Sequence, residues 1–567
     1  MTFNAVSDFP WQSEQLVLFF HHSSGVLVMK KSVRLFIVAV CLLAFWGCNE
    51  RKRLVDLGTE QQIMHISNAA EISGIDPHTT TGMPESRVQM ALFEGLVTKH
   101  PKTLEVMPGV ADHWAISDDG LIYTFHIREN AKWSNGDKLT ANDFVQSWHR
   151  ALMPGLANEY VESLFVLKNA EKFFKHELEF SEVGVKALND STLQVELENP
   201  TPYFLQLLDH HSMFPVHINT IKKFASIDER DSTWTKPENF VGNGPFVIRE
   251  WTPGKYFSVI PNPYYWDAKA VKLKEMRFYP VEQLLAEERM FKAGQLHKTE
   301  WMPIAKIEKY KNANDPEYVT FPYLATYFYI FNVTKPPMND VRVRKALAYS
   351  VDRESIAKNI TKGQQLPAYA LTPPDVLGYT SKARMTYDID MARKLLADAG
   401  YPNGEGMPAI ELIYNTSEDH QKIAQAVQQM WKKNLNINVA LQNQEWKVFL
   451  DNQKLLNYQI ARMAWVGDYV DPNTFLEIFI TNGGNNRTGW SNVHYDQLIR
   501  AAASAKSRDK RYDLLQKAEQ ILVDEAPFVP IYNYSTNNLL STDVKGYYMN
   551  IMDYHPYKYI YLESNKK

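Results

Sequence analysis

Residues 458–475 read YQIARMAWVGDYVDPNTF and place one carboxylate, Asp468, between Trp465 and Tyr469, with Arg462 six residues before it. Aromatic neighbours exclude water, and a carboxylate in a dry site needs a cation or several hydrogen-bond donors to remain charged. A free ammonium group would suit Asp468, and a free carboxylate would suit Arg462. A ligand that carries both groups is an amino acid or a peptide. The alternative is an ordinary strand and turn whose charged residues pair with other protein groups.

Composition narrows the class of protein further. The chain has 567 residues, which corresponds to three or four domains at roughly 150 residues each. Its net charge of −4 gives no reason to expect a nucleic acid as a partner. The 13 Trp, 30 Tyr and 28 Phe exceed what a core needs and suit surfaces that hold amphipathic ligands. The two cysteines, Cys41 and Cys48, both precede the predicted body of the protein, so that body has no disulfide and no thiol site.

The N-terminal region predicts export. Residues 29–48 read MKKSVRLFIVAVCLLAFWGC, a basic start followed by an apolar run that is short for a membrane span but typical of a signal peptide. The run ends at Gly47-Cys48, which resembles a lipoprotein cleavage site, although Phe45 and Trp46 depart from the usual residues. We therefore expect residues 1–28 to be an upstream extension, residues 29–47 to be a lipoprotein-type signal peptide, and Cys48 to be lipidated. Uncleaved retention in the membrane is the alternative.

The body of the chain reads as alternating helices and strands. Val88, Leu92 and Leu96 recur at helical spacing, and residues 123–127 alternate apolar and polar side chains as a half-buried strand does. A helix predicted over residues 420–433 lies between the strand-like LIYN (412–415) and INVAL (437–441). This order indicates an αβ unit on a mixed sheet. NGGNNR, at residues 482–487, is predicted to be an ordinary loop.

Catalytic motifs are missing from the sequence. It has no H-E-x-x-H, no G-x-S-x-G and no G-x-x-x-x-G-K. The histidines are scattered, with His210-His211 as one adjacent pair in the body, and no metal site is assigned. We expect a binding protein, with no cofactor, in preference to an enzyme.

A succession of motifs covers nearly the whole body of the chain. They are, in order, IDPHTTTGMPES (75–86), LFEGLV (92–97), PGVADHW (108–114), YTFHIRENAKWSNGDKLTANDF (123–144), VGNGPF (241–246), KPPMNDVRVRKAL (335–347), LPAYALTPP (366–374), LIYNTSEDH (412–420) and NQEWKVF (443–449). This succession resembles the extracytoplasmic solute-binding proteins of ABC transporters, family 5, the peptide and nickel class. Within that class it is most similar to the oligopeptide-binding members.

The resemblance implies an α/β fold of the type II periplasmic-binding-protein kind (cluster C). Two large lobes would close about a hinge, and a smaller lobe would be added to them. Lobe I would be discontinuous, comprising residues 57–95, 220–324 and 536–567. Lobe II would span residues 96–219, and lobe III residues 325–535.

The resemblance also implies roles for particular residues. Thr81-Gly82-Met83 and Ala464–Gly467 match the two segments that hold a peptide backbone, and Asp468 matches the carboxylate that receives the peptide ammonium group. The aromatic residues that match the side-chain pockets are Trp446, Trp465 and Tyr160, for which core packing is the alternative. Arg462, always charged, and His420, titrating near neutrality, match groups that meet the peptide carboxylate. Lys362 matches a group that serves the shortest ligands.

The function implied is capture of short peptides, about two to five residues long, for import. The expected partners are an ABC permease with its ATPase subunits. We expect a monomer on the periplasmic or outer face of a bacterial membrane, anchored by lipid. A murein-peptide receptor is the main alternative, followed by haem or nickel binding and, last, a hydrolase.

Overall fold

The computed structural model of the protein describes residues 52–362, 365–505 and 507–565. The predicted upstream extension, the signal peptide and Cys48 lie outside the described residues. From Arg53 onward the chain forms one compact unit. Across the described ranges, each helix is too short or too polar to cross a membrane.

The strands are β1 (Ile63–Ser67), β2 (Val97–Lys99), β3 (Val106–Pro108), β4 (Ala111–Ile116), β5 (Ile122–Ile127), β6 (Val185–Asn189), β7 (Thr192–Glu196), β8 (Phe246–Thr252), β9 (Tyr256–Pro261), β10 (Glu275–Tyr279), β11 (Tyr318–Phe331), β12 (Leu366–Pro367), β13 (Ile410–Asn415), β14 (Val439–Gln444), β15 (Ile460–Val466), β16 (Phe528–Leu539), β17 (Val544–Lys545) and β18 (Tyr561–Leu562). They form a mixed four-stranded sheet β1-β10-β9-β8 and an antiparallel four-stranded sheet β4-β5-β7-β6. A mixed six-stranded sheet has the order β12-β16-β11-β15-β13-β14, and two small sheets pair β2 with β3 and β17 with β18.

The α-helices cover the faces and ends of these sheets. They are Leu54–Gln61, Met83–Leu92, Ala141–Leu152, Ala170–Phe174, Phe204–Leu207, Ile218–Phe224, Leu284–Lys292, Ile304–Asn312, Val341–Tyr349, Arg353–Ser355, Ile389–Asp398, Glu418–Leu435, Trp446–Lys454, Asn473–Leu476, Val493–Ala503 and Arg508–Glu525. The predicted α/β class is confirmed, because these helices alternate with the strands along most of the chain.

The largest clusters of buried apolar side chains divide the chain into three groups. One draws on residues 64–93, 214–278 and 544–562, a second on residues 96–213 together with Tyr469, and a third on residues 324–532. These ranges lie close to the predicted lobes, whose boundaries remain a prediction. The long strands β11 and β16 run from the first predicted lobe into the third.

Several predicted elements are confirmed. Residues 123–127 lie in β5, with Tyr123, Phe125 and Ile127 buried. The αβ unit is present as β13, the helix Glu418–Leu435 and β14, with the two strands parallel. The helix predicted over Val88, Leu92 and Leu96 ends earlier, at Leu92, because the backbone becomes extended at Phe93.

Residues 482–487 form the predicted loop, and the loop also contacts residues that are distant in the sequence. The Gly484 N–H donates to Glu162 Oε1 at 3.1 Å, and Asn485 Nδ2 donates to the Glu159 carbonyl at 3.1 Å. Arg487 forms an ion pair with the Glu159 carboxylate. The loop therefore docks onto residues of the second predicted lobe.

Candidate ligand-binding site

A cavity of about 410 Å³ is lined by side chains from distant parts of the chain. The lining includes nine of the residues predicted to bind: Gly82, Met83, Tyr160, His420, Trp446, Arg462, Trp465, Gly467 and Asp468. Its volume is within the range typical of sites for small ligands.

One wall of the cavity is the strand β15, which has an open edge. β15 pairs along its whole length with β11, from Ala325↔Val466 to Phe331↔Ile460, and the Gly467 N–H continues this pairing to the Leu324 carbonyl at 2.8 Å. On the other edge, β13 pairs with β15 in the described structure only at Ile460 and Ala461, the first two residues of β15.

In an antiparallel pair, the backbone N–H and C=O groups of successive residues point alternately toward the partner strand and away from it. Gly467 bonds to β11, and Trp465 and Met463 share its orientation. The N–H and C=O groups of Val466, Ala464 and Arg462 therefore point away from β11, toward the open edge. The Arg462 carbonyl accepts from Gln453 Nε2 at 2.7 Å, as this orientation requires. Within the described residues no strand pairs with Ala464 or Val466 on this edge, so they present backbone donors and acceptors to the cavity.

Asp468 lies immediately after β15, at one end of the open edge. Its backbone N–H donates to Thr474 Oγ1 at 3.0 Å, which fixes the turn. His210 Nε2 lies 3.3 Å from Asp468 Oδ1, and the carboxylate side chain is 15% exposed. The Ser212 backbone N–H donates to His210 Nδ1 at 3.4 Å, which leaves the proton of a neutral imidazole on Nε2, facing Asp468. A contact at one carboxylate oxygen leaves most of the acceptor capacity of Asp468 free for a cationic ligand group.

A second carboxyl near Asp468 does not add a competing charge. Burial first, and then the charge of Asp468, raises the pKa of Glu477 to about 8. Glu477 accepts from the Tyr469 hydroxyl at 3.0 Å and from Asn473 Nδ2 at 2.7 Å. Glu477 therefore holds its proton at neutral pH and does not compete with Asp468 for a cationic ligand group.

Aromatic rings form the walls next to Asp468. The Tyr160 ring lies 4.6 Å from His210 and 6.2 Å from Trp465, between ring centroids. Burial, followed by the charge of Asp468, raises the pKa of Tyr160 well above its usual range, so its hydroxyl stays protonated. The indole nitrogens of Trp465 and Trp446 are buried and have no hydrogen-bond partner among the described residues. A buried donor without a partner is costly, which makes both nitrogens available to a ligand or to water.

Arg462 and His420 lie at the other end of the open edge. The Arg462 guanidinium donates to the Tyr534 hydroxyl at 2.7 Å and lies 4.9 Å above the Tyr327 ring, while its Nε has no partner in the described residues. Across those residues it forms no ion pair with a carboxylate. A buried cation with neutral partners is suited to an anionic ligand group.

The pKa of His420 differs from the expectation that this residue titrates near neutrality. Burial, and secondarily the charge of Arg462, lowers its pKa well below the usual value, so the ring is neutral at pH 7. Its Nδ1 is buried and has no partner among the described residues. The ring lies 5.5 Å from that of Tyr327, at the start of the helix Glu418–Leu435. His420 is thus half-buried in the cavity wall and not a solvated surface residue.

Little space is left for a side chain at the two glycines. A Cβ on Gly82 would overlap the Glu85 carboxylate and lie 3.3 Å from the Trp446 ring, and one on Gly467 would lie 2.7 Å from Leu324 Cδ2. The Gly82 backbone is extended, with φ −90°. Neither residue lies in the left-handed region, so close packing, and not backbone conformation, is the reason for a glycine at these positions.

Lys362 does not reach this cavity. Its ammonium group lies 3.3 Å from Glu308 Oε2 on the surface, and it is not among the lining residues. The predicted role of Lys362 with the shortest ligands is therefore not supported. Two features of the cavity wall were missed from the sequence: His210 as the partner of Asp468, and a buried ion pair of Lys99 with Asp209 at 3.1 Å. Both depend on residues from separate elements, so no local pattern marks them.

Comparison with known proteins identifies the family. The model of the bacterial extracellular solute-binding proteins, family 5 (middle region), matches residues 105–487. The chain belongs to this family. It is 36% identical over 505 residues to the periplasmic oligopeptide-binding protein OppA of Salmonella typhimurium. This match covers 86% of the chain and 90% of OppA.

Two solved structures have the same fold. OppA of Haemophilus influenzae in complex with RPPGFSPFR superposes with a TM-score of 0.83, at 34% identity over 89% of this chain and 99% of that one. The murein tripeptide-binding protein MppA of Escherichia coli gives 0.84, at 35% identity over 88% and 98%. An unliganded, open form of MppA gives only 0.59, at 34% identity over 89% and 98%. The expected periplasmic-binding-protein fold is thus confirmed, in an arrangement unlike that open form.

Proposed function

We propose that this family 5 protein captures short peptides in the cavity and delivers them to an ABC permease for import. The observation that carries the proposal is the open edge of β15, with a carboxylate at one end and a buried guanidinium at the other. A peptide has the matching parts: an ammonium group, a backbone of alternating donors and acceptors, and a carboxylate.

The backbone would add to β15 as an antiparallel strand. With its ammonium group at Asp468 and its carboxylate toward Arg462, the peptide would run opposite to β15. Ala464 and Val466 would then exchange backbone hydrogen bonds with alternate ligand residues. The extended segment at Gly82 lies in the same cavity lining and would meet the other edge of the ligand.

The spacing of the charges limits the peptide length. Asp468 follows Arg462 by six positions of extended chain, or roughly 20 Å between their Cα atoms. Both side chains reach inward, which shortens the distance between the charged groups. A peptide of about three to five residues would fit the remaining length at roughly 3.3 Å per residue, in agreement with the two to five residues expected from the sequence.

Side chains of the ligand would have little specific contact. The walls contain the rings of Tyr160, Trp446 and Trp465, whose faces accept many kinds of side chain. The free indole N–H groups would be satisfied by water or by polar ligand groups. Recognition would then depend on the backbone and the two ends, which permits a broad range of sequences.

Closure of the lobes around the ligand fits this arrangement. The pairing of β11 with β16 is interrupted between Pro322 and Thr326, close to the predicted boundary of lobes I and III. An interrupted pairing where two strands cross a boundary is where a hinge is expected. The lower similarity to the open form of MppA supports a closed arrangement here. We further propose that Cys48 anchors the protein by lipid to the outer face of the membrane.

The direct test is a length series. Peptides of alternating alanine and lysine, from two to eight residues, are titrated calorimetrically into the protein and its Arg462→Ala variant. Binding should be tightest at about three to five residues, and the variant should lose about ten- to a hundredfold in affinity at one or two lengths, since a hydrogen bond to a charged group contributes about 1.5–3 kcal/mol. Equal losses at every length would make Arg462 a structural residue, and the absence of binding at any length would refute the proposal.

The murein tripeptide belongs in the same series. It tests the one alternative favoured by a comparison, the similarity to MppA. A murein-peptide receptor would bind that branched ligand strongly and ordinary tripeptides poorly. A general peptide receptor would bind both.

A further inference from the structure

Three side chains outside the cavity converge on the face of β4 and β5. His113 and His126 lie directly opposite each other in this antiparallel pair, and their rings stack with centroids 4.8 Å apart. Asp112 Oδ1 lies 2.6 Å from His113 Nδ1 and 3.0 Å from His126 Nδ1. None of the three lines the cavity described above.

A β-bulge explains how consecutive residues face the same side. Ala111 pairs with Ile127 and His113 pairs with His126, so Asp112 is an extra residue on β4. In a regular strand Asp112 and His113 would point to opposite faces of the sheet. The bulge turns the carboxylate of Asp112 to the face that carries both imidazoles, and bulges commonly re-aim side chains in this way.

We propose that Asp112, His113 and His126 form a surface site for a divalent transition metal, with Zn²⁺ as the reference ion. One ligand atom from each residue can be chosen so that all three lie within 4.8 Å of one another. Two imidazole nitrogens and one carboxylate oxygen form a ligand set that Zn²⁺ accepts, with water in the fourth position. β4 is the edge strand of its sheet, and the Asp112 and His126 side chains are 35% exposed, which gives a metal ion access.

A hydrogen-bonded group of three residues that never binds a metal is the alternative, and it would show no saturable binding of Zn²⁺.

The test is a calorimetric titration of the untagged protein with Zn²⁺ at pH 7.5. The wild type should bind one Zn²⁺ per chain at this site, and His113→Ala, His126→Ala and Asp112→Asn should each weaken binding by at least about tenfold. His494→Ala is the matched control, because His494 is exposed on the helix Val493–Ala503 and belongs to no such group. Thermal melts without metal establish that each variant is folded.

A second measurement identifies the geometry. Co²⁺ in place of Zn²⁺ should give the visible absorption of a tetrahedral site in the wild type and in His494→Ala, and lose it in His126→Ala. Unchanged Zn²⁺ affinity in His113→Ala and His126→Ala, or no saturable Zn²⁺ binding by the wild type, would overturn the proposal. Neither outcome bears on peptide binding, because the cavity contains none of these residues.

Discussion

At the scale of single residues, Asp468 has the strongest predicted effect. Among the described residues only His210 reaches its carboxylate, so a bound ammonium group would supply the missing charge. Asp468→Ala should cost about 3–5 kcal/mol, or roughly 10²–10³-fold in affinity, as breaking a buried ion pair does. Calorimetry with free and N-acetylated tripeptide measures this, with Asp451→Ala on an exposed position as the control.

The losses of affinity caused by Asp468→Ala and by N-acetylation of the peptide should not add. Once Asp468 is gone, acetylation removes no further interaction, so the variant should bind free and acetylated peptide with similar affinity. If the wild type binds acetylated and free peptides equally, Asp468 does not receive the ammonium group.

The environment of His420 leads us to expect that peptide affinity depends on pH, and it gives the direction of that dependence. Without ligand its pKa is lowered well below the usual value by burial and by Arg462, so it is neutral at pH 7. A peptide carboxylate beside the ring favours the charged form and raises this pKa. Binding then takes up a proton, and affinity should rise as the pH falls from about 7.5 to 5, by about tenfold for each pKa unit gained.

The pH profile should depend on peptide length. Only peptides whose carboxylate reaches His420 should show the increase, and His420→Gln should flatten their profiles. The peptide carboxyl does not titrate in this window, because its own pKa is about 3.5. Identical profiles for wild type and His420→Gln at every length would remove His420 from the ligand contacts.

The placement of most of these residues in one cavity was predictable from the sequence, but their electrostatic states were not. Nine of the predicted residues line the cavity and Lys362 does not. Their role in binding a ligand stays a prediction. The pKa of His420 depends on burial and on the charge of Arg462. Arg462 and the neighbouring ring of Tyr327 come from strands outside the helix of His420. For the same reason, nothing near residue 468 in the sequence indicated His210 as the partner of Asp468.

At the scale of elements, we can test the open edge of β15 by changing the peptide and leaving the protein unchanged. Replacing one ligand amide by an ester removes an N–H donor and keeps the side chain. At a position that faces Ala464 or Val466, this should weaken binding by about two- to tenfold, the contribution of one backbone hydrogen bond. Calorimetry on tripeptides with a single ester provides the measurement. If every ester analogue binds as tightly as the parent amide, the backbone does not hold the ligand.

Elements with local signals were predicted well, and those that depend on pairing were not. Strand β5 is an example, because buried Tyr123, Phe125 and Ile127 alternate with the polar residues between them. This alternation is local, and the sequence displays it. The bulge at Asp112 and the docking of Gly484 onto Glu159 arise between segments that are distant in sequence or in register, and no local pattern encodes them.

At the scale of the whole molecule, the loop at residues 482–487 connects the second and third predicted lobes. Glu159 Oε1 lies 2.6 Å from Lys454 Nζ, and its carboxylate also pairs with Arg487. If the lobes separate without ligand, these ion pairs break, and their re-formation contributes to closure. A ligand that binds the closed form more tightly shifts the population toward it.

Gly484 allows closure to be tested without changing the cavity. A Cβ on Gly484 would lie 2.6 Å from Glu159 Cα, and each of the three atoms it would meet belongs to the Glu159 backbone. Backbone atoms cannot rotate away, so Gly484→Ala should hold the two lobes apart and lower peptide affinity by at least about tenfold. Small-angle scattering at saturating peptide should show less contraction than in the wild type, while the melting temperature without ligand stays the same. Gly483→Ala is the matched control, because its Cβ would lie 3.0 Å from the Ile480 carbonyl within the same loop. Full contraction of Gly484→Ala with peptide would show that this contact forms no part of the closed state, and equal losses in both variants would attribute the effect to strain in the loop.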